Sequence, residues 1–168
     1  MRLSRWTSLG SLAGVAAAGV LWLAIARALP PLAGAATADR LGLACAALLP
    51  AAGVLNLMIL VQMLLRVATG ALDPQAGADG RLLRVNQRAI TNTVEQVAGF
   101  APALLALAAA AGPEAMRHVV AAGLVFAVAR LVFWAGYLCG PMTRAPGMAA
   151  SFAINGATWA AAAWFWLG

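Results

Sequence analysis

Residues Arg84 to Phe100 read RVNQRAITNTVEQVAGF and form a polar segment in a chain that is 64% hydrophobic. Residues three, four and seven positions apart share one face of an α-helix, and the polar residues here follow that spacing. The apolar sequence APALLALAAAA comes next. We therefore predict a transmembrane helix whose first half carries a polar stripe, made of Arg81, Arg84, Arg88, Asn92 and Glu95.

The depth of Glu95 is what makes this stripe a functional candidate. Glu95 follows Arg84 by 11 residues, which is about 16 Å along a helix and close to the middle of a bilayer. A charge at that depth costs about 2.5–3.5 kcal/mol, so it is placed against protein or water. Arg81 and Arg84 lie nearer the start, where their side chains can also extend to the membrane surface.

Composition places the chain among integral membrane proteins. It has 168 residues, of which 10% are charged, whereas soluble domains average about 25%; its mean hydropathy is +0.88. We expect one transmembrane domain over residues 1–168. The net charge of +6 comes without a basic run interleaved with aromatics, so we expect no nucleic-acid partner. The two cysteines have no disulfide or metal-ligand spacing, and we predict no metal site.

Five membrane spans are predicted from the apolar segments. They cover residues 8–29, 41–65, 81–111 and 119–139, and a last span begins near Arg144 and ends at Trp166. The first could instead be a signal peptide, because the small residues AGAATA follow it. Its apolar run is longer than a hydrophobic region of about 7–15 residues, which favours a retained anchor.

The arginines predict the orientation. All 11 basic residues are arginine, a bias associated with GC-rich bacterial genomes. A cytoplasmic N-terminus puts seven arginines inside and three outside, as the positive-inside rule requires. We therefore predict a multi-pass protein of a bacterial inner membrane. The inner set is Arg2, Arg5, Arg66, Arg81, Arg84, Arg88 and Arg144, and the outer set is Arg27, Arg40 and Arg117.

Arg130 is the remaining arginine, within the fourth span. Counted from the inner surface it lies about as deep as Glu95, and opposite charges at equal depth predict a pair. Tyr137, Arg88 and Arg144 lie nearer the same surface, which predicts a cationic pocket that opens inward. Several arginines suit a ligand with carboxylates, and a carboxylate suits an amine. Glutathione meets this description, although the chemistry does not single it out. The alternative is a pair that only joins two helices.

Two motifs resemble one known family. R-x-x-x-N-x-x-E at Arg88, Asn92 and Glu95, followed by Phe100, looks like the second-helix motif of MAPEG proteins, the membrane-associated proteins of eicosanoid and glutathione metabolism. A-R-L-x-F-x-x-G-Y, from Ala129 to Tyr137, resembles the third helix of that family. The resemblance covers about residues 41–168 and is strongest to the leukotriene C synthase and microsomal glutathione transferase branch.

The resemblance implies a fold, a partner and a set of site residues. It implies an all-α four-helix bundle over 41–168, with residues 1–40 as an extra span and loop, assembled as a homotrimer in the lipid bilayer. It implies glutathione as co-substrate, between subunits near the cytosolic face. Arg144 matches an arginine that stabilises the thiolate, with Tyr137 as a second catalytic group. The residues that match glutathione contacts are Arg88, Asn92, Glu95 and Tyr137. Arg66 matches a family arginine by position only, and Arg130 matches one inside the bundle. The polar stripe adds Arg84 to the predicted binding residues.

The function implied is transfer of a thiol to lipophilic electrophiles, in the manner of a glutathione transferase or peroxidase. Two alternatives come from other classes. The first is a MAPEG-fold protein with a structural role and no reaction, for which Tyr137 and Arg144 have no use. The second is a small transporter that couples to protons through Glu95, which would show proton-dependent flux and no affinity for thiols.

Overall fold

Five α-helices make up the described part of the chain, which contains no strand. The computed structural model describes residues 5–32, 35–75 and 77–168, so the predicted position of Arg2 and part of the AGAATA segment lie outside it. The helices are α1 (Arg5–Ala28), α2 (Thr37–Thr69), α3 (Arg81–Ala110), α4 (Met116–Cys139) and α5 (Ala145–Leu167), with a short 3-10 turn at Pro113–Ala115 before α4.

Helices are the structure that these apolar segments can adopt in lipid, because a helix satisfies its backbone hydrogen bonds internally. Four candidate spans, α1, α2, α3 and α4 with its preceding turn, are long and apolar enough to cross a membrane. α5 has the length for a span, with 23 residues, and its crossing stays a prediction. The helix bounds agree with the predicted spans to within a few residues, apart from longer ends on α2.

α4 is the centre of the bundle and packs against each of the other four helices. Its buried face joins that of α3, where Phe100 stacks on Phe126 with ring centroids 4.2 Å apart. α2, α3 and α5 surround α4, and α1 packs outside this group against α4 and α5. The four helices from α2 to α5 therefore form one bundle, to which α1 adds a fifth helix.

Consecutive helices run in opposite directions, which decides where the arginines lie. Trp159 and Trp166 of α5 donate hydrogen bonds to the Gly99 and Ala106 carbonyls of α3, at 3.0 Å each. The residue numbers of the two partners increase in the same direction, so α3 and α5 are parallel. Arg130 contacts Thr93 while Trp134 contacts Asn86, so α4 is antiparallel to α3. The start of α5 therefore shares one end of the bundle with the start of α3.

Glycines permit the closest approaches between helices. A Cβ on Gly123 of α4 would overlap the Ala47 carbonyl of α2, and a Cβ on Gly147 of α5 would overlap the Phe133 backbone of α4. A Cβ on Gly14 would likewise overlap the Pro146 carbonyl, which sets α1 tightly on the start of α5. Small residues at such crossings let backbones meet in membrane bundles.

We expect Gly123→Ala to destabilise the protein by about 1–3 kcal/mol, because the new methyl group overlaps a backbone carbonyl that cannot move alone. Gly53→Ala in α2 is the matched control, since a Cβ there meets nothing within 4 Å. It should be neutral or stabilise by about 0.5–1 kcal/mol, because alanine favours a helix over glycine. Thermal unfolding in detergent measures both. Equal melting temperatures would contradict the packing at Gly123.

Candidate functional site

One end of the bundle collects most of the arginines predicted to be cytoplasmic. α1, α3 and α5 begin there and α2 ends there, which brings together the starts of α3 and α5 and the last turn of α2. The arginines at this end are Arg5, Arg66, Arg81, Arg84, Arg88 and Arg144, while Arg27, Arg40 and Arg117 lie at the other end. The predicted grouping of these residues by side therefore agrees with the helix directions.

The polar stripe of α3 lies on the surface of the subunit. Arg84, Arg88 and Glu95 are exposed and Asn92 is half-buried. The opposite face of α3 is buried against the bundle, with Ala89, Ile90, Thr93, Gln96 and Phe100. A single subunit thus presents a row of charged and amide side chains on its surface, next to the apolar surface of the same helix.

Arg130 is fully buried, and polar uncharged groups hold it. Its Nε and Nη2 donate to Thr93 Oγ1 at 3.2 and 2.8 Å, its Nη1 donates to Ser151 Oγ at 3.3 Å, and its Nη2 donates to Asn92 Oδ1 at 3.0 Å. The guanidinium carbon also lies 4.0 Å from the centroid of the Phe133 ring. This one cation therefore joins α3, α4 and α5.

The predicted pair between Glu95 and Arg130 does not form within the subunit. Glu95 is exposed, and the ion pair found in the described part of the chain joins Arg66 and Asp79 instead. The pair was predicted either in one subunit or across an interface, and the first form is wrong because equal depth does not fix direction around a helix. Glu95 and Thr93 are two residues apart and so about 200° apart around α3, and Thr93 is the residue that faces Arg130. A pair across a subunit interface stays a prediction.

The bond from Arg130 fixes the orientation of the Asn92 amide. A guanidinium carries only donors, so the atom that it contacts must be the amide oxygen. The NH₂ group of Asn92 then points away from Arg130. Asn92 as a whole is half-buried. Asn92 therefore directs its amide oxygen toward Arg130 and its two N–H donors away from it, toward whatever lies against this part of α3.

Tyr137 and Arg144 lie against each other at the arginine-rich end. The Arg144 guanidinium carbon is 4.5 Å from the centroid of the Tyr137 ring, and the ring itself packs with Ala89 of α3 and Phe133. The turn between α4 and α5 brings them together. Thr143 Oγ1 donates to the carbonyls of Gly136 and Gly140, the latter at 2.8 Å. The two residues predicted to be catalytic are thus in contact and adjoin α3.

Arg66 is engaged by the loop between α2 and α3. Its Nη1 and Nη2 donate to the two carboxylate oxygens of Asp79 at 3.0 and 3.1 Å, and Nη1 also donates to the Ala71 carbonyl at 2.8 Å. Arg84 donates to the backbone carbonyl of Asp79. Asp79 therefore links two of the predicted binding arginines. Helical periodicity could not predict this arrangement, because Asp79 lies in a loop.

A buried amide cluster between α2, α3 and α4 was also missed. Asn86 is fully buried, and its Nδ2 donates to Gln62 Oε1 at 2.9 Å and to the Met58 carbonyl at 3.0 Å. Trp134 Nε1 donates to Asn86 Oδ1 at 2.7 Å. The signal was present in the sequence, since Gln62 and Asn86 are amides in apolar surroundings and such groups need partners.

Comparison with known proteins decides the family at this point. The model of the MAPEG family matches residues 41–164, which include nearly all of α2 and most of α5. The chain belongs to the MAPEG family. No curated protein and no solved structure matches it. The matched region contains the polar stripe, Arg130, Tyr137 and Arg144, whereas α1 lies outside it. Family and apolar helices together indicate a multi-pass membrane protein.

The hydroxyl of Thr93 should matter far more to stability than that of Thr91. Thr93→Val removes the partner of two guanidinium N–H groups and should cost about 1.5–3 kcal/mol, the range for hydrogen bonds to charged groups. Thr91 is exposed and bonds only within its own helix, so Thr91→Val should change stability by less than about 0.5 kcal/mol. Thermal unfolding compares them.

A double mutant tests whether the cost comes through Arg130. When Arg130→Met is already present, adding Thr93→Val should cost much less, because no buried cation is then left without a partner. Additive losses would contradict the assigned contact.

Proposed function

We propose that this MAPEG protein binds glutathione, or a thiol of similar charge, and transfers it to lipophilic electrophiles. The observation that carries the proposal is the contact of Arg144 with Tyr137 beside the polar stripe of α3. A guanidinium and a phenol then lie together at the end of the bundle that also presents Arg84 and Arg88. Family membership is consistent with glutathione-related chemistry of this kind.

The charges of the site complement a tripeptide with two carboxylates and one amine. Arg84 and Arg88 are exposed on α3 and suit carboxylates, which guanidinium groups bind through paired hydrogen bonds. Asn92 adds donors for a carboxylate or a peptide carbonyl. Glu95 is the only acidic residue of the stripe, and its carboxylate suits the amine of the ligand. Arg66 contributes only if its ion pair with Asp79 opens.

Arg144 is proposed to make the site reactive. A thiol attacks an electrophile as the thiolate, and a fixed positive charge beside the sulfur favours that form. Arg144 is half-buried, so its charge is less screened by water than that of an exposed arginine. Tyr137 supports the guanidinium with its ring face and has a hydroxyl that could donate to the same sulfur.

A second copy of the chain is the proposed cover for the stripe. Charged groups at bilayer depth face protein or water rather than lipid, yet the stripe is exposed in one subunit. α1 already covers part of α4 and α5, so α2 and α3 are the helices left to meet a neighbour. We propose the homotrimer that the MAPEG resemblance implies, with the thiol between subunits. Glu95 would then face a cation of the neighbouring subunit.

The electrophile is proposed to enter from the membrane. The surface beside the stripe is apolar, with Val94 47% exposed, so a lipophilic molecule dissolved in the bilayer reaches it without crossing water. The second motif favours the leukotriene C synthase and microsomal glutathione transferase branch for this chemistry. We place the site on the cytoplasmic side of a bacterial inner membrane, following the arginine bias.

Arg144→Ala should lose turnover while keeping most of the thiol affinity, and raising the pH should partly restore the rate. The reason is that its charge acts on the thiolate, which alkali also produces. This pattern marks an interaction with the reacting group rather than uniform binding. Conjugation of glutathione to a generic aromatic electrophile, measured across pH, checks it.

Arg27→Ala is the control for the loss of one arginine, because Arg27 is exposed at the opposite end of the bundle. It should leave turnover unchanged. Unchanged turnover in Arg144→Ala at every pH would contradict the thiolate assignment. Absence of glutathione binding in the unmodified protein would instead favour a structural role for the fold, and proton-dependent flux would favour transport.

Asn92→Asp should weaken glutathione binding by about tenfold or more, the loss of one hydrogen bond to a charged group. The new carboxylate can accept from Arg130, so the fold is kept, but it has no donor for the ligand and repels carboxylates. Thr91→Asp adds the same charge at a neighbouring exposed position and controls for it. Calorimetric titration measures both. Equal affinities for the two variants would contradict the assigned amide orientation.

A further inference from the structure

An apolar cavity lies toward the end of the bundle opposite Tyr137 and Arg144. It has a volume of about 510 Å³ and lies between α1, α4 and α5, with walls that include Val15, Gly19, Ile154, Ala157 and Phe165. Ala18 also lines a smaller cavity of about 290 Å³ that continues along α1 toward Pro146. Single small ligands occupy protein pockets of about 300–1,000 Å³, so the larger cavity has the size of a ligand site.

The polar groups of the cavity wall are already used, apart from those of one side chain. Trp22 Nε1 donates to the His118 carbonyl at 3.1 Å, and Thr158 Oγ1 donates to the Ile154 carbonyl at 2.8 Å. The His118 imidazole has no hydrogen-bond partner in the part of the chain that the structure describes, although its Nδ1 is buried. The wall therefore suits an apolar molecule with one polar group, placed beside His118.

The position of His118 sets the direction of such a molecule. His118 is the third residue of α4, at the end of the bundle where Arg27, Arg40 and Arg117 lie. From there the cavity extends along α1 from Trp22 to Val15, about 10 Å at the rise of a helix. The polar group of the ligand would then lie near the membrane surface and its apolar body would point into the membrane, as in a lipid.

The charge beside His118 favours an anionic head. Arg117 is exposed, and it forms no ion pair within the ranges the structure describes. Glu114, on the preceding turn, is also exposed and lines a separate small cavity with Arg117. A carboxylate beside His118 could thus receive a hydrogen bond from the imidazole and pair with Arg117.

We propose that this cavity binds a long-chain fatty acid, with its carboxylate at His118 and Arg117 and its chain between α1, α4 and α5. A single unbranched chain fits an apolar groove that lies between three helices and is open along the exposed Val15, Gly19 and Ala157, whereas a phospholipid would bring a second chain and a larger head. α1 forms one wall of the site and lies outside the region matched by the family model. The site is separate from the proposed thiol site and does not depend on it.

Photolabelling tests the proposal on the purified full chain. The probe is a 16-carbon fatty acid with a diazirine near the middle of the chain, and labelled residues are located by mass spectrometry. We expect labels on α1 and α5 around Val15 and Ala157, and we expect excess oleate to remove them. The methyl ester of the same probe should label at least about fivefold less, because it lacks the charge that Arg117 and His118 would bind.

Two glycines provide a matched pair of variants. Gly19 lines the cavity and Gly156 does not, and a Cβ at either position meets nothing within 4 Å. Gly19→Phe should therefore fill the cavity and lose most of the labelling, whereas Gly156→Phe should keep it. His118→Phe keeps a ring against Trp22 but removes the nitrogens, and should weaken labelling as the ester does.

Several outcomes would overturn the proposal. Labels that persist with excess oleate but disappear with excess phosphatidylglycerol would assign the cavity to a phospholipid chain. Equal labelling by acid and ester would show that no head is recognised, and this comparison needs only the unmodified protein. Equal labelling of Gly19→Phe and Gly156→Phe would place the probe on the general lipid-facing surface.

Discussion

The buried guanidinium of Arg130 is the constraint on which the rest of the bundle depends. Moving a charge out of water is costly unless hydrogen bonds and nearby dipoles replace the solvent. Here Thr93, Asn92 and Ser151 supply those bonds from two other helices, and the ring of Phe133 supplies a face. Because the partners come from α3 and α5, the spacing and rotation of both helices relative to α4 are fixed by one side chain.

The same interaction determines the surface chemistry of α3. The amide oxygen of Asn92 points toward Arg130, and no carboxylate among the described residues forms an ion pair with this arginine. The neighbouring surface therefore keeps a surplus of donors and positive charge, to which Arg84, Arg88 and Arg144 add. A surface with this charge favours an anionic ligand over a cationic one, except at Glu95, which carries a negative charge. The buried arginine is thus connected to the surface of α3 through the amide of Asn92.

Sequence patterns predicted the helices and the exposed stripe well, because hydrophobic length and helical periodicity report on them directly. The family resemblance assigned Tyr137 and Arg144 to one site, whereas the contact between their side chains was not predicted. Patterns did not identify the partners of Arg130, since depth along a helix says nothing about direction around it. The carboxylate of Glu95 was the more obvious partner for a cation than the hydroxyl of Thr93. They also failed for Asp79, whose place depends on how the loop after α2 folds back on Arg66. Such tertiary choices are made by packing, not by propensity.

The added helix α1 shows how one composition can yield both tight contact and open space. Gly14 lets α1 touch the Pro146 backbone, so the start of α1 is held closely against α5. Five residues later Gly19 has no neighbour within 4 Å and lines the apolar cavity, because it faces about 140° away from Gly14 around the helix. Trp22 closes the far end through its bond to the His118 carbonyl. Larger residues would have filled this gap at little cost in an apolar environment. Small residues between two such anchors keep it open, which is what a ligand cavity requires and what a merely structural helix does not.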